Sequence, residues 1–443
     1  MLTNFTVSHL IFTWTELNMS AITNELALFQ KAPMEQAVQD VTWIEYLSTT
    51  QLSPNGPITF NVNGTSAKYI LLNKTRLHVK VRILKTDDTP ITKDDNVSLV
   101  NLSLHSLFRQ VDVSLQQQVI TPTVGVNYPY KAMLDVLLNY PHDVKDSQLQ
   151  CEGYFKDLAG YMDNATVNNG HTQRHALTKD GTADFEGTLH IDVAQQPKAI
   201  LNGVQLSVKL FQHDDSFRLF SGTGDYKVEI VDAVLKVCHI KVNPHIILAH
   251  NNQLKKTPAI YPFWRSDIKT YAISAGNLTY AQDDLFQGLV PNKMIVAFTS
   301  SAAYTGDITK NPFNFHHFNL NYLELSVDGR SVPGVPFQPI FTPHTDDGYS
   351  SSGYVHEYLS LFKNNYPQKT GNWILRSDFP KGYALFVFDI KPGTSEELFS
   401  SVRRGRTRLS VRFGSGLSEP AIAIVYALFP DEFRIDQSRN VVL

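Results

Sequence analysis

Two histidine pairs have spacings that could bind a metal ion. His171 and His175 are four positions apart, which in a helix would place both imidazoles on one face, and His316 and His317 are adjacent. A metal-dependent oxygenase of the cupin type requires a His-x-His pair together with a glutamate and a later histidine, and this chain contains no His-x-His pair. The first pair flanks Thr-Gln-Arg beside an Asn-Gly dipeptide, which favours a loop over a helix. Both pairs are therefore predicted to be structural, and no metal or cofactor site is predicted.

Glycine-rich and arginine-rich segments could carry phosphate or nucleic-acid chemistry. The Gly-x-Gly of Gly222 and Gly224 precedes a β pattern, whereas a phosphate-binding loop precedes a helix. Gly-Ser-Gly at 414–416 lies in a turn between strands and is not the bend that exposes a nucleophilic serine. The arginines of residues 403–408 adjoin an amphipathic strand, which favours a solvated strand face or a salt-bridged subunit contact over nucleic acid. No catalytic residue is predicted, and an active site on a different pattern stays open.

The composition suits a protein whose surface is largely covered by other protein. Charged residues make up 18% of the 443 residues, below the ~25% typical of soluble domains, and aromatic residues make up 11%. The formal net charge of −3 gives no overall attraction to nucleic acid or to anionic lipid. The two cysteines, Cys151 and Cys238, are too few for a disulfide scaffold. Both are predicted to be small buried residues in a reducing compartment.

Alternating apolar and polar residues indicate a chain built mainly of strands. Leu77, Val79, Val81 and Ile83 alternate with polar residues, which is the pattern of a strand with one buried face, and residues 407–413 repeat it. Many short strands, turns rich in glycine and proline, and few short helices are typical of a sandwich or jelly roll.

One order of elements occurs twice along the chain. Residues 102–140 read as strand, tight turn, loop and helix, and residues 318–364 read in the same order. This repeat predicts an all-β protein of two tandem eight-stranded jelly rolls with short inserted helices, at residues 50–222 and 223–443. The long polar segments 141–182 and 342–353 follow equivalent positions and are predicted to project from the assembly or to contact other subunits.

The N-terminal segment is predicted to stand apart from both jelly rolls. Residues 1–49 read as an arm with weak helical character from 24 to 39, ordered only by neighbouring subunits or by the interior of an assembly. Residues 1–18 read as an upstream extension before a second methionine, Met19. No basic region precedes the short apolar run near the start, so secretion through a signal peptide is not expected.

Several motifs, spread over both halves, resemble the double jelly-roll major capsid protein of Polinton/Maverick elements and adintoviruses, which are virus-like DNA transposons of animal genomes. The similarity covers about residue 24 to the C-terminus. It rests on these segments among others: Trp43-Ile44-Glu45-Tyr46, Pro57-Ile58-Thr59-Phe60, Leu104-His105-Ser106-Leu107-Phe108, Tyr128-Pro129-Tyr130, Asn311-Pro312-Phe313-Asn314-Phe315 and Ile435-Asp436-Gln437-Ser438.

The resemblance implies a structural subunit without catalysis. Three copies would form a pseudo-hexameric capsomer of an icosahedral shell around double-stranded DNA. The expected partners are two further copies of the chain, neighbouring capsomers and a single jelly-roll penton protein, with no sequence-specific nucleic-acid binding. The expected location is the virion capsid, assembled in the host nucleus or cytoplasm. The alternative function is a jelly-roll carbohydrate-binding or cupin-like module.

Overall fold

The computed structural model describes residues 36–54, 56–121, 127–222, 224–344, 348–349, 352–362, 371–390 and 401–443. The strands of the first half are β1 Val38–Leu47, β2 Ile58–Val62, β3 Lys68–Lys85, β4 Val97–Leu99, β5 Phe108–Leu115, β6 Gln118–Val119, β7 Thr182–Thr188, β8 Leu206–Gln212, β9 Leu219–Ser221 and β10 Tyr226–Val242. Those of the second half are β11 Ala259–Ile273, β12 Thr279–Asp283, β13 Leu289–Val290, β14 Lys293–Ser300, β15 Leu320–Val327, β16 Arg330–Phe337, β17 Pro343–His344, β18 Gly348–Tyr349, β19 Leu385–Asp389, β20 Arg403–Arg404, β21 Thr407–Phe413, β22 Ala421–Ile435 and β23 Val441–Val442.

Short helices connect the strands. They are α1 Ser103–Ser106, α2 Tyr128–Asn139, α3 His142–Lys145, α4 Asn169–Thr178, α5 Asp215–Arg218, α6 Pro244–Leu254, α7 Ser301–Thr305 and α8 Val355–Ser360, with 3₁₀ turns at Gln148–Glu152 and Asp192–Ala194. No described helix has both the length and the apolar character needed to cross a membrane.

The two halves share one sheet topology. In the first half the antiparallel sheet β1-β10-β3-β7 packs against β2-β8-β5-β6, and in the second half β11-β22-β14-β19 packs against β12-β21-β15-β16. Each strand of these sheets therefore has a counterpart at the same place in the other half, and each half is an eight-stranded jelly roll. The small pairs β4-β9 and β13-β20 lie in different connections and have no counterpart in the other half among the described strands. The predicted fold class is confirmed.

The inserted helices also occupy equivalent places. Helix α2 follows β6, the outer strand of its sheet. Helix α8 comes after β16, the outer strand of the matching sheet, and the short strands β17 and β18 lie between the two. The turn before β16 is tight, because Asp328 and Gly329 both adopt positive φ angles of 52° and 77°. The repeated order of strand, turn, loop and helix is thus present in both halves.

The expected domain limits need correction at both ends of the first jelly roll. Residues 38–47, assigned by sequence to a free arm, form β1 and pair with β10 in continuous register from Asp40 to Leu47. Strand β10 pairs on its other side with β3, so residues 226–242 complete the first jelly roll and do not open the second. Both limits are set by pairing between strands that lie far apart in the sequence, and the alternation of apolar and polar residues along the chain does not reveal such pairing. The residues before 36 lie outside the described part.

The segment 141–182 is not the irregular loop expected from its polarity. It contains α3, a 3₁₀ turn and α4, and buries Tyr154, Asp157 and Arg174. Asparagine Asn168 caps α4 by accepting a hydrogen bond from the Gly170 amide. Whether this segment meets other subunits stays a prediction. Segment 342–353 lies partly outside the described residues.

The two jelly rolls share their cores. Met133, Leu134 and Leu137 on α2 are buried in the core of the second roll. In return Phe433 and Ile435, at the end of β22, are buried in the core of the first. Each roll thus inserts apolar side chains into the other, and the pair is one packed body.

Candidate functional site: the interface between the jelly rolls

Polar side chains gather where the two rolls meet, and Lys131 lies at the centre of one group. Its ammonium on α2 is 3.0 Å from Asp135 Oδ2 and 3.1 Å from Asp192 Oδ1. The second roll donates to both carboxylates: the Tyr426 hydroxyl to Asp135 at 3.1 Å, and the Ser266 amide to Asp192 at 2.8 Å. One buried cation and two carboxylates therefore join the rolls.

The charges of this group stabilise one another against the cost of burial. Burial by itself would lower the pKa of the Lys131 ammonium, but Asp135 and Asp192 outweigh it and raise that pKa above its ordinary value. Burial likewise opposes ionisation of Asp135, yet Lys131 and His190 hold the pKa of its carboxyl well below the usual range. Lys131 and Asp135 are thus ionised and paired with each other at neutral pH.

A second cluster adjoins the first and contains two histidines and a glutamate. His105 Nε2 is 3.0 Å from Glu152 Oε2, and His190 Nε2 is 3.8 Å from the same oxygen. Burial lowers the pKa of His105, whereas for His190 the nearby Asp135 and Glu152 carboxylates outweigh burial and raise the pKa. Burial disfavours the Glu152 carboxylate, but both histidines lower its pKa to about 2.

A third group surrounds the buried carboxylate of Asp157. Arg174 Nη2 is 2.8 Å from Asp157 Oδ1, and the two side chains are 1% and 0% exposed. Asn101 and Asn168 donate amide hydrogen bonds from the first roll at 3.1 and 2.9 Å, and Asn311 donates from the second roll at 2.9 Å. Hydrogen bonds to Asp157 therefore attach segment 141–182 to both rolls.

Lys145 is a buried lysine of a different kind. Its ammonium donates to the carbonyls of Leu137 and Asn372 at 2.9 and 2.6 Å, and no described carboxylate forms an ion pair with it. Burial, with a smaller effect of the nearby Lys156 charge, lowers its pKa to about 7. The protonation of Lys145 is therefore sensitive to pH near neutrality.

The histidine pairs singled out in the sequence have structural surroundings. His171 and His175 lie on α4, contrary to the expected loop, because Asn168 starts a helix where Asn-Asn-Gly resembles a turn. His171 contacts Ser98 Oγ at 2.8 Å and Asn96 Oδ1 at 2.7 Å, and burial lowers its pKa to about 3.

The second histidine pair also packs against neighbouring groups. His317 stacks on Phe341 with a centroid distance of 3.9 Å and accepts a hydrogen bond from the Asn319 amide, and burial lowers its pKa to about 4. The described residues bring neither histidine pair together with carboxylates as a ligand set.

The arginine and glycine motifs lie on the surface of the second roll and at turns. Arg408 pairs with exposed Asp283 at 3.4 Å, and the Arg412 guanidinium lies over the Tyr322 ring at 4.7 Å. Gly-Ser-Gly at 414–416 lies in the connection between β21 and β22, as expected. These contacts fit the expected solvated strand face.

The cysteines differ from one another. Both thiols are free, but only Cys238, on β10, is buried, whereas Cys151 is exposed. The expectation that both are buried is wrong for Cys151, because the 3₁₀ turn points its neighbours Leu149 and Glu152 inward instead.

No protein-family model matches the chain. An uncharacterized protein of Caenorhabditis elegans is 24% identical over 428 residues, which cover 92% of this chain and 98% of the relative. A chain of the Sputnik virophage has a TM-score of 0.61 at 12% identity, covering 95% of this chain and 92% of that one. A chain of the PBCV-1 virus capsid gives 0.56 at 11% identity, covering 94% and 100%. The major capsid protein of mavirus gives 0.53 at 12% identity, covering 96% and 93%.

The chain has the double jelly-roll fold of viral major capsid proteins. The similarity spans both rolls, since each solved chain covers more than nine-tenths of the sequence. The polar groups between the rolls therefore connect the two halves of a double jelly roll. The sequence analysis identified none of these groups, although His105 and Asn311 belong to motifs that carried the resemblance.

Proposed function

We propose that this chain is a non-catalytic major capsid protein of the Polinton/Maverick and adintovirus type. Three copies form a pseudo-hexameric capsomer, and capsomers form an icosahedral shell around double-stranded DNA. The observation that carries the proposal is the repeated topology, with β1-β10-β3-β7 matched by β11-β22-β14-β19 and β2-β8-β5-β6 matched by β12-β21-β15-β16. The solved structures of similar fold belong to virus capsids and a major capsid protein.

The duplication supports a trimer with a six-sided outline. Two similar rolls fixed side by side give each chain two similar lateral surfaces, and three chains in a ring then present six rolls. The polar contacts of Lys131 and Asp157 between the rolls suit this role, because a capsomer keeps a six-sided outline only if the two rolls of each chain stay fixed relative to each other.

Exposed apolar side chains supply surface for subunit contacts. Among the described strands, β1 is the edge of its sheet, and Val41, Trp43 and Leu47 on it are 51%, 43% and 70% exposed. An unpaired edge with apolar side chains is a surface that monomeric proteins usually protect. We place β1 at a contact between subunits.

The remaining partners follow from the capsid role. They are neighbouring capsomers and a single jelly-roll penton protein, within a virion assembled in the host nucleus or cytoplasm, and sequence-specific nucleic-acid binding is not part of the proposal. The net charge of −3 supports this, because it offers no general attraction to DNA.

Native mass spectrometry and negative-stain microscopy of the purified full chain test the proposal. We expect a species of three chain masses with a hexagonal outline at micromolar concentration. A monomer that binds sugars would overturn the proposal in favour of the carbohydrate-binding alternative. A variant pair then tests the contact surface: Leu47→Asp should dissociate the trimer, whereas Leu248→Asp, at a similarly exposed site on α6, should leave it intact. Equal behaviour of the two variants would exclude β1 as the contact.

A further inference from the structure

Three buried side chains from separate segments converge on one point at the interface. His105 comes from α1, Glu152 from the 3₁₀ turn of segment 141–182, and His190 from the chain just after β7. Their side chains are 1%, 8% and 2% exposed, and one ligand atom of each lies within 4.8 Å of the other two. A tetrahedral zinc ion with bonds of 2.0–2.1 Å would separate its ligand atoms by about 3.3 Å. The observed separations from Glu152 Oε2, 3.0 and 3.8 Å, bracket that value.

One atom of the cluster lacks a hydrogen-bond partner among the described residues. His190 Nε2 is buried, and its nearest carboxylate oxygen, on Glu152, is 3.8 Å away, too far for a hydrogen bond. Such a buried nitrogen is costly unless something binds it. His190 Nε2 faces Glu152 Oε2, the same oxygen that His105 Nε2 contacts. A metal ion between these three atoms would therefore give His190 Nε2 a partner.

The opposite nitrogen of each ring faces a group of the kind that lies behind histidine ligands in metal sites. His105 Nδ1 lies 2.8 Å from the Tyr128 hydroxyl, and His190 Nδ1 lies 3.6 Å from Asp135 Oδ2. Histidine ligands usually use their second nitrogen in this way, with a carboxylate or hydroxyl that fixes the ring orientation. Both Nε2 atoms are consequently directed at Glu152.

The charge of the surroundings favours a divalent cation. Glu152, Asp135 and Asp192 contribute three carboxylates, and Lys131 is the one ammonium that pairs with them in the described structure. With both imidazoles neutral, as metal ligands must be, two negative charges remain uncompensated in a buried region. A divalent ion would bring the formal charge of the cluster to zero.

We propose that His105, Glu152 and His190 form a buried structural site for a divalent transition metal ion of the zinc class. Two imidazoles and a carboxylate suit zinc, and water completes the fourth position. A pocket of about 70 Å³, lined in part by Tyr128, Lys131 and His190, lies beside the site. The ion would tie segment 141–182 to the first roll. The inference does not depend on the capsid proposal.

Metal titration of the full chain tests the site. The chain is stripped with a chelator, and Zn²⁺ binding is measured by equilibrium dialysis, with Co²⁺ absorption as a report on coordination. We expect one equivalent per chain, a tetrahedral cobalt spectrum and a higher melting temperature with zinc. His190→Gln and Glu152→Gln should each weaken binding by at least about 100-fold. Asp135→Asn should weaken it by about 10–100-fold, because the Asp135 carboxylate faces the second ring nitrogen of His190 at 3.6 Å.

His171→Gln is the matched control, since it alters another buried histidine whose two ring nitrogens already have partners. It should keep one equivalent of zinc. Failure of the unaltered chain to bind one equivalent, or equal losses in the control and the ligand variants, would overturn the site. Zinc binding by the unaltered chain is measured without any variant, so the proposal can be refuted even if a ligand variant does not fold.

Discussion

Replacing Arg174 by methionine is expected to lower the free energy of unfolding by about 3–5 kcal/mol. The guanidinium makes an ion pair of 2.8 Å with Asp157, and the two side chains are 1% and 0% exposed, so solvent screening is negligible. Removing one partner of such a pair leaves the other charge buried and uncompensated, which costs about that much. The side chain also donates to the carbonyls of Leu99 and Phe155 at 3.0 and 3.2 Å, and these acceptors would lose a partner.

Urea unfolding followed by tryptophan fluorescence measures the change at one fixed protein concentration. Arg82→Met is the matched control, because its pair with Glu229 is 45% and 43% exposed and should contribute no more than about 1 kcal/mol. Asp157→Asn and the double variant complete a cycle, and the double loss should fall short of the sum by at least about 2 kcal/mol. Additive losses, or a loss no larger than that of Arg82→Met, would refute the reasoning.

Three further predictions concern the interface and the thiols. The folded-state pKa of Lys145, about 7, lies below its unfolded value, so the unfolded chain binds more protons between these values and stability should rise from pH 7 to 10. Lys145→Met should abolish that rise, which the pH dependence of unfolding measures, and an unchanged slope would contradict the assignment. Tyr426→Phe removes the hydroxyl that donates to Asp135 and should lower the free energy of unfolding in urea by about 1–2 kcal/mol. A change within about 0.5 kcal/mol, the size expected of a neutral surface substitution, would show that this hydrogen bond is unimportant. A thiol reagent should modify Cys151 in the native protein and Cys238 only after unfolding; two fast equivalents would contradict the burial of Cys238.

The repeated architecture could be predicted because its signals are local. Strand β3 alternates apolar and polar residues, and the Asp328-Gly329 turn and the helix α2 each depend on a few neighbouring residues. Such patterns appear in any window of the sequence that contains them, and they occur twice in the same order. The all-β class and the helix after the same strand in each half followed from them.

The limits of the rolls could not be predicted in the same way. Strand β10 has the same alternation whether it belongs to the first or the second roll, and only its pairing with β1 and β3 assigns it. Helix α4 was missed because Asn168 acts as a helix cap, while the same residues also favour a turn.

The sequence by itself determined the all-β class, the clearly alternating strands and tight turns such as β3 and Asp328-Gly329, and that the unit is repeated. The tertiary structure alone decided which distant groups meet: Lys131 with Asp192, and Asp192 in turn with Ser266, 74 positions further along. The same holds for His105 with Glu152. The physical reason is that alternation and turn chemistry act over a few residues, whereas these contacts arise when the apolar faces of two jelly rolls are buried against each other. Buried polar groups must then find partners wherever the fold places them.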